Sequence, residues 1–150
     1  MEENQPAMNR LVLFILFVSF TVSACAQPKS IKTKEEITAA CDKVMQTFRD
    51  GKYKAAMQAL KPISLIKPSK IDELGEQANK QMIALADAYG KIVAYDLVNE
   101  KAIKDFVYKR SYILRFESYY LKFSFIYYKA ATGWAVTNFV YNEDIDELFR

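Results

Sequence analysis

From Lys91 to Asn142 the chain runs through four aromatic and β-branched stretches separated by short polar breaks, and this pattern leaves few folds open. The stretches are Lys91 to Ile103, Phe106 to Glu117, Tyr120 to Lys129 and Trp134 to Tyr141. Residues of this kind favour a pleated, half-buried surface, and breaks this short join neighbouring strands as antiparallel partners. Lys104-Asp105 is the expected turn after the first strand, and Gly133 supplies the turn before the last. On the second strand Phe106, Tyr108, Tyr112, Leu114 and Phe116 share one face, which is the candidate interior. Arg110 interrupts that face, and a buried cation requires a partner.

The third strand is apolar on both faces, with Leu121, Phe123, Phe125 and Tyr127 on one and Tyr120, Ile126 and Tyr128 on the other. A strand covered twice is central or lies in an interface, so a homodimer through the sheet is expected. The closing Asn142 to Phe149 is acidic with apolar residues at intervals; a helical turn that docks Ile145, Leu148 and Phe149 on the body is expected.

Upstream, the period changes from two to about 3.6. Thr33-Lys34-Glu35-Glu36 has the form of a capping box, and Ile37, Ala40, Cys41, Val44, Met45 and Phe48 then recur on one helical face. Asp50-Gly51 ends that helix, and Lys52 to Leu60 reads as a second, short one stopped by Pro62. A third helix is expected from Ser69 to Tyr89, boxed by Asp72, with a stripe of Ile71, Leu74, Ala78, Met82, Leu85 and Tyr89. Ala84, Ala86 and Ala88 would let it lie close to the sheet. The expected fold class is therefore α+β: three N-terminal helices packed on a curved four-stranded antiparallel sheet, as one domain over residues 33–150.

The chain contains no histidine, which removes Ser-His-Asp and Cys-His sites and any zinc site that needs imidazole. Its four glycines are isolated, so there is no phosphate-cradling loop. Met45, Met57 and Met82 sit on apolar stripes and read as core filling rather than as soft metal ligands. No metal or cofactor is expected. The net charge is +3, and +4 once Arg10, Glu2 and Glu3 are removed. With its lysines scattered, that charge argues against nucleic acid.

Residues 1–24 have the three parts of an export signal: Arg10, the apolar run Leu11 to Phe20, then small residues. The start is Met1 or Met8; Met8 directly precedes Asn9-Arg10, and Glu2 and Glu3 sit oddly in a basic leader. The run is shorter than the roughly 20 apolar residues that span a bilayer. Val22-Ser23-Ala24-Cys25 resembles the bacterial lipobox, which implies a lipid on Cys25, a tether over residues 25–32 and attachment to a membrane. Cleavage after Ala26 is the alternative, since Ala24-Cys25-Ala26 also fits the small-x-small rule. Both place the protein outside the cytoplasm, in the bacterial periplasm or cell envelope. In both, Cys41 is left as a lone thiol on an apolar stripe.

Three helices followed by this sheet resemble the nuclear transport factor 2-like superfamily, in particular its small exported bacterial members of unknown function. The residues that carry the resemblance are Phe48-Arg-Asp-Gly-Lys-Tyr-Lys-Ala-Ala-Met and Gly133-Trp-Ala-Val-Thr-Asn-Phe. The resemblance implies a cone-shaped sheet around the long helix, a pocket inside it and homodimers through the outer face. Asp96, Phe106, Tyr108, Arg110 and Tyr112 are the candidate pocket residues. The missing catalytic repertoire favours an envelope protein that binds a small apolar ligand or a protein partner without catalysis. The alternative is a ketosteroid-isomerase-like enzyme, whose chemistry uses an Asp base with Tyr and a protonated acid as oxyanion donors. Here Asp96, Tyr108, Tyr112 and Arg110 would have to converge.

Overall fold

The computed structural model describes residues 31–149; the expected export signal, Cys25 and most of the expected tether lie outside the described residues. Helices α1 (Lys34–Arg49), α2 (Tyr53–Gln58) and α3 (Pro68–Tyr89) precede strands β1 (Ile92–Ile103), β2 (Val107–Phe116), β3 (Tyr120–Ala130) and β4 (Gly133–Asn142). The strands form one antiparallel sheet in the order β1-β2-β3-β4. The class is α+β, and each strand ends within a residue of the bounds its alternation predicts.

Local sequence explains where the helices begin. The Thr33 hydroxyl accepts from the Glu36 amide at 3.2 Å, and the Glu36 carboxylate accepts from the Thr33 amide at 3.1 Å. Two amides that a helix start leaves unpaired are thereby satisfied. After α1, Gly51 takes φ 74°, the left-handed conformation that a Cβ disfavours. The third helix departs from expectation. It starts at Pro68 with no side-chain cap, because proline's fixed φ and missing N–H suit the first helical turn. Ser69 therefore lies inside the helix. Asp72 turns instead to α2, accepting from Gln58 at 2.7 Å and pairing with Lys61 at 2.7 Å.

Helix α3 also packs differently. Ala84 and Ala88 are exposed, so they do not bring it close to the sheet. The close approach is to α2, where a Cβ on Gly75 would meet the Met57 Cβ at 3.4 Å. The C-terminal half of α3 reaches the sheet through Tyr89, which stacks on Tyr119 at 4.4 Å, and through Gln81, which accepts from the Tyr141 hydroxyl.

The core lies between α1 and the inner face of the sheet. Ile37, Cys41, Val44, Met45 and Phe48 meet Tyr112, Leu114, Phe123, Phe125 and Tyr127, all at most 1% exposed. Met57 and Met82 are equally buried, as core filling requires. Phe48 and Phe123 pack with centroids 4.8 Å apart, a separation typical of favourable aromatic pairs.

The outer face holds a second burial layer. Register places Lys109, Ser111, Ile113, Lys122, Ser124 and Ile126 there. Ser111 and Ser124, bonded to each other at 2.9 Å, are 1% and 4% exposed, and Lys122 is 5% exposed. The chain after β4 supplies their ionic cover: a 3-10 turn (Asp146–Leu148) brings Glu147 to Lys109 at 2.9 Å and to Lys122 at 2.9 Å. The expected docking of this tail through Ile145, Leu148 and Phe149 holds in part: Ile145 and Leu148 are half-buried, Phe149 is 81% exposed, and Glu147 adds an ionic attachment. The double burial of β3, from which a dimer was expected, is thus met in part by the chain's own C-terminus.

Gly90, which joins α3 to β1, has φ 82° and ψ 178°, a region essentially restricted to glycine. A Cβ there would also collide with the Glu117 side chain. Gly90→Ala is expected to lower stability by about 2 kcal/mol, read as a drop in the denaturant midpoint at unchanged slope. An unchanged midpoint would show that the α3–β1 joint tolerates another conformation.

Candidate functional site

The inner face of β2 carries the polar centre of the molecule. Alternation aims Tyr108, Arg110 and Tyr112 at α1, where Thr38 and Asp42 stand one helical turn apart. Arg110 is 3% exposed. Its Nε donates to the Tyr112 hydroxyl at 2.9 Å, and a terminal nitrogen donates to the Thr38 hydroxyl at 3.1 Å. The same terminal nitrogen pairs with Glu100, which the β1–β2 register sets directly opposite. Tyr112 passes the bond on, donating to Asp42 at 3.1 Å. The guanidinium also lies 5.5 Å from the Tyr112 ring centroid. One buried cation therefore ties two strands to α1, and its partner requirement is met.

Deeper in the core, the Cys41 thiol and Tyr127 hydroxyl form a hydrogen bond. Burial pushes the Cys41 thiol up to about 11, and the same desolvation raises Tyr127 and Tyr112 well above the usual phenol range. All three remain protonated at neutral pH. They are hydrogen-bonding groups there, and none is a ready nucleophile or base.

An open depression of about 440 Å³ lies over this network, lined by Glu35, Thr38, Ala39, Asp42, Glu100 and Tyr108. Of the expected pocket residues only Tyr108 lines it; Arg110 and Tyr112 form its buried support. Phe106 lies at the β1–β2 turn, 40% exposed, away from the network. Asp96 is on the other side of the sheet. It opposes Ile113, the residue between inward-facing Tyr112 and Leu114, and pairs with Arg115 at 2.9 Å with both side chains more than half exposed. An Asp96–Tyr112 acid-base pair is therefore not assembled, and the ketosteroid-isomerase-like arrangement fails on geometry.

A second depression of about 390 Å³ is more apolar, lined by Ile31, Ala39, Ala40, Ala59, Pro62 and Ile63, with Glu36 and Lys43 also contributing. Sequence reasoning missed it because its walls are small residues on the outer side of α1 and on the turn after α2. It also missed Lys122, whose position between Leu121 and Phe123 on a buried strand was a signal that it needed an acidic cover. Among the described residues, no group of three or more acidic or cysteine side chains is placed to hold a metal, and no helix is long and apolar enough to cross a membrane.

No family model and no curated protein matches the chain. Solved structures similar to it include two described as NTF2-like proteins of unknown function. One, from Shewanella baltica OS155, is 11% identical with a TM-score of 0.44, over 75% of this chain and 97% of its own. The other, from Silicibacter pomeroyi DSS-3, is 12% identical with a TM-score of 0.45, over 75% of this chain and 99% of its own. At these scores they assign no site residue and no ligand to this chain.

Proposed function

We propose that this is an exported envelope protein, held to a membrane by a lipid on Cys25, whose domain binds a small apolar ligand without catalysis. The observation that carries the tether is the short spacing between the lipobox-like Val22-Ser23-Ala24-Cys25 and Ile31, the first described residue. Ile31 is 4% exposed and exchanges two backbone bonds with Trp134, at 3.1 and 2.6 Å. Ile31, bound to the sheet, lies six residues after the candidate lipid site.

The binding reading is supported by the apolar depression beside Ile31 and by the fully bonded polar groups of the interior. Three register shifts, at Ile92/Ala94, Leu97/Asn99 and Ile126/Tyr127, support a sheet bent into the wall of a cone, since bulges bend strands. Growth with labelled palmitate tests the tether. Label on the wild-type chain, absent from Cys25→Ala, is the expected result. Equal labelling of both, or of neither, would remove the lipid anchor. Native mass spectrometry of the envelope-purified protein tests the ligand, which is expected as added mass that Ala40→Trp, filling the depression, abolishes.

A further inference from the structure

The end of the sheet that receives the N-terminal chain has an unusual surface. Four backbone segments lie side by side there. Ile31 bonds to Trp134, Trp134 pairs with Lys129, and the Lys129 amide donates to the Phe106 carbonyl at 2.8 Å. Strands lie about 4.8 Å apart, so Phe106 is only about 15 Å from Ile31. The six residue steps from Cys25 to Ile31 span at most about 20 Å of extended chain. A lipid on Cys25 and the Phe106 side chain can therefore reach the same bilayer surface.

The side chains at this end fit such a surface. Register sets Ile103, Val107 and Tyr128 in one row across the outer face, beyond Lys109, which Glu147 of the tail engages. Ile103 is 61% exposed, Tyr128 44% and Phe106 40%. Around them stand exposed Lys101, Lys104 and Lys129, against one acidic residue of the turn, Asp105, paired with Lys129 at 3.4 Å. Aliphatic and aromatic residues flanked by lysines match the boundary between acyl chains and anionic headgroups. The sequence places no glycine at the β1–β2 turn, where Lys104 adopts φ 50°.

We propose that this end of the sheet is a membrane-contact surface for an anionic phospholipid bilayer, with Ile103, Phe106 and Tyr128 meeting the acyl boundary and Lys101, Lys104 and Lys129 the headgroups. The geometry rests on the lipid-anchor reading; the surface chemistry does not.

The test is flotation of the exported full chain carrying Cys25→Ala, with vesicles of phosphatidylcholine alone or mixed with phosphatidylglycerol. Binding to the phosphatidylglycerol vesicles, weakened at least tenfold by Ile103→Ser with Phe106→Ser and also by Lys101→Gln with Lys104→Gln, is expected. These residues are exposed, and unchanged melting of the variants verifies their folding. As a second readout, Trp134 fluorescence in the wild-type chain is expected to be quenched by brominated lipid, and less so in the Ile103→Ser, Phe106→Ser variant. A Cys25→Ala chain that ignores phosphatidylglycerol, or binds it equally with all four residues changed, overturns the surface and leaves the anchor standing. A wild-type chain that floats no better than Cys25→Ala removes the anchor and leaves the surface. If Cys25→Ala instead forms a dimer that Ile103→Ser dissociates, without vesicle binding, the face belongs to a second copy and the proposal is overturned.

Discussion

Arg110→Met is expected to destabilise the protein by about 3 kcal/mol, lowering Tm by about 12 °C for a domain of this size. The substitution keeps most of the side-chain volume, so little of the effect comes from a cavity. Its cost arises from what the cation leaves behind. The Tyr112 hydroxyl loses its donor, and the Glu100 carboxylate, at the mouth of the network, loses its counter-charge. Because the Glu100 side chain is 38% exposed, water recovers part of its solvation, which holds the cost near the low end of a broken buried pair. Arg110→Lys is expected to restore less than half of the loss. One ammonium on a different stem cannot reproduce the separate Nε bond to Tyr112 and terminal-nitrogen bonds to Thr38 and Glu100. Adding Glu100→Gln to Arg110→Met should be less damaging than the sum of the two single changes, because the uncompensated anion is gone. Thermal and chemical denaturation of the wild type and these four variants decides the matter. If Arg110→Met melts with the wild type, the residue is held in place by the fold and contributes nothing to it.

That network shows how far the sequence can be read. Alternation along β2 was enough to place Tyr108, Arg110 and Tyr112 on one face, and charge burial was enough to demand a partner. The partners themselves were not legible. Glu100 and Arg110 meet through the register of the β1–β2 hairpin, which a bulge between Leu97 and Asn99 shifts by one residue. Asp96 was a reasonable interior candidate until that register was known; a one-residue change of phase moves a side chain to the opposite face. Helix bounds were legible where caps are local, as at Thr33 and Gly51. They were misread at Ser69, where Pro68 offers a competing start with equally local chemistry. The depression beside Ile31 depends on how α1, α2 and the N-terminal bridge to Trp134 come together, contacts between residues far apart in sequence. No periodicity within a single element encodes them.

Glu147→Ala is expected to cost about 2 kcal/mol at neutral pH, out of proportion to an ion pair near the surface. The Glu147 side chain is 40% exposed, and a pair at that exposure contributes no more than about 1 kcal/mol. The remainder comes from Lys122, whose side chain is only 6% exposed and would be left as an unpaired buried ammonium. Lys122→Met should accordingly be close to neutral, since Lys109 still holds Glu147 and the new apolar side chain suits a covered site. The two changes distinguish attachment of the tail from solvation of the lysine. The pH dependence follows from the carboxyl group. Hydrogen bonds from Lys109 and Lys122 hold Glu147 down to about 2, against an ordinary value of 4.5. Because the folded-state value is the lower one, the contribution is fully present above pH 4.5 and fades as pH falls through that range toward about 2. The stability difference between wild type and Glu147→Gln should therefore be constant from pH 7 to about pH 5 and shrink steadily below that. Salt should reduce it only weakly, because one partner is buried. Denaturation curves collected from pH 7 to pH 2 would refute this account if the two proteins differed by the same amount throughout.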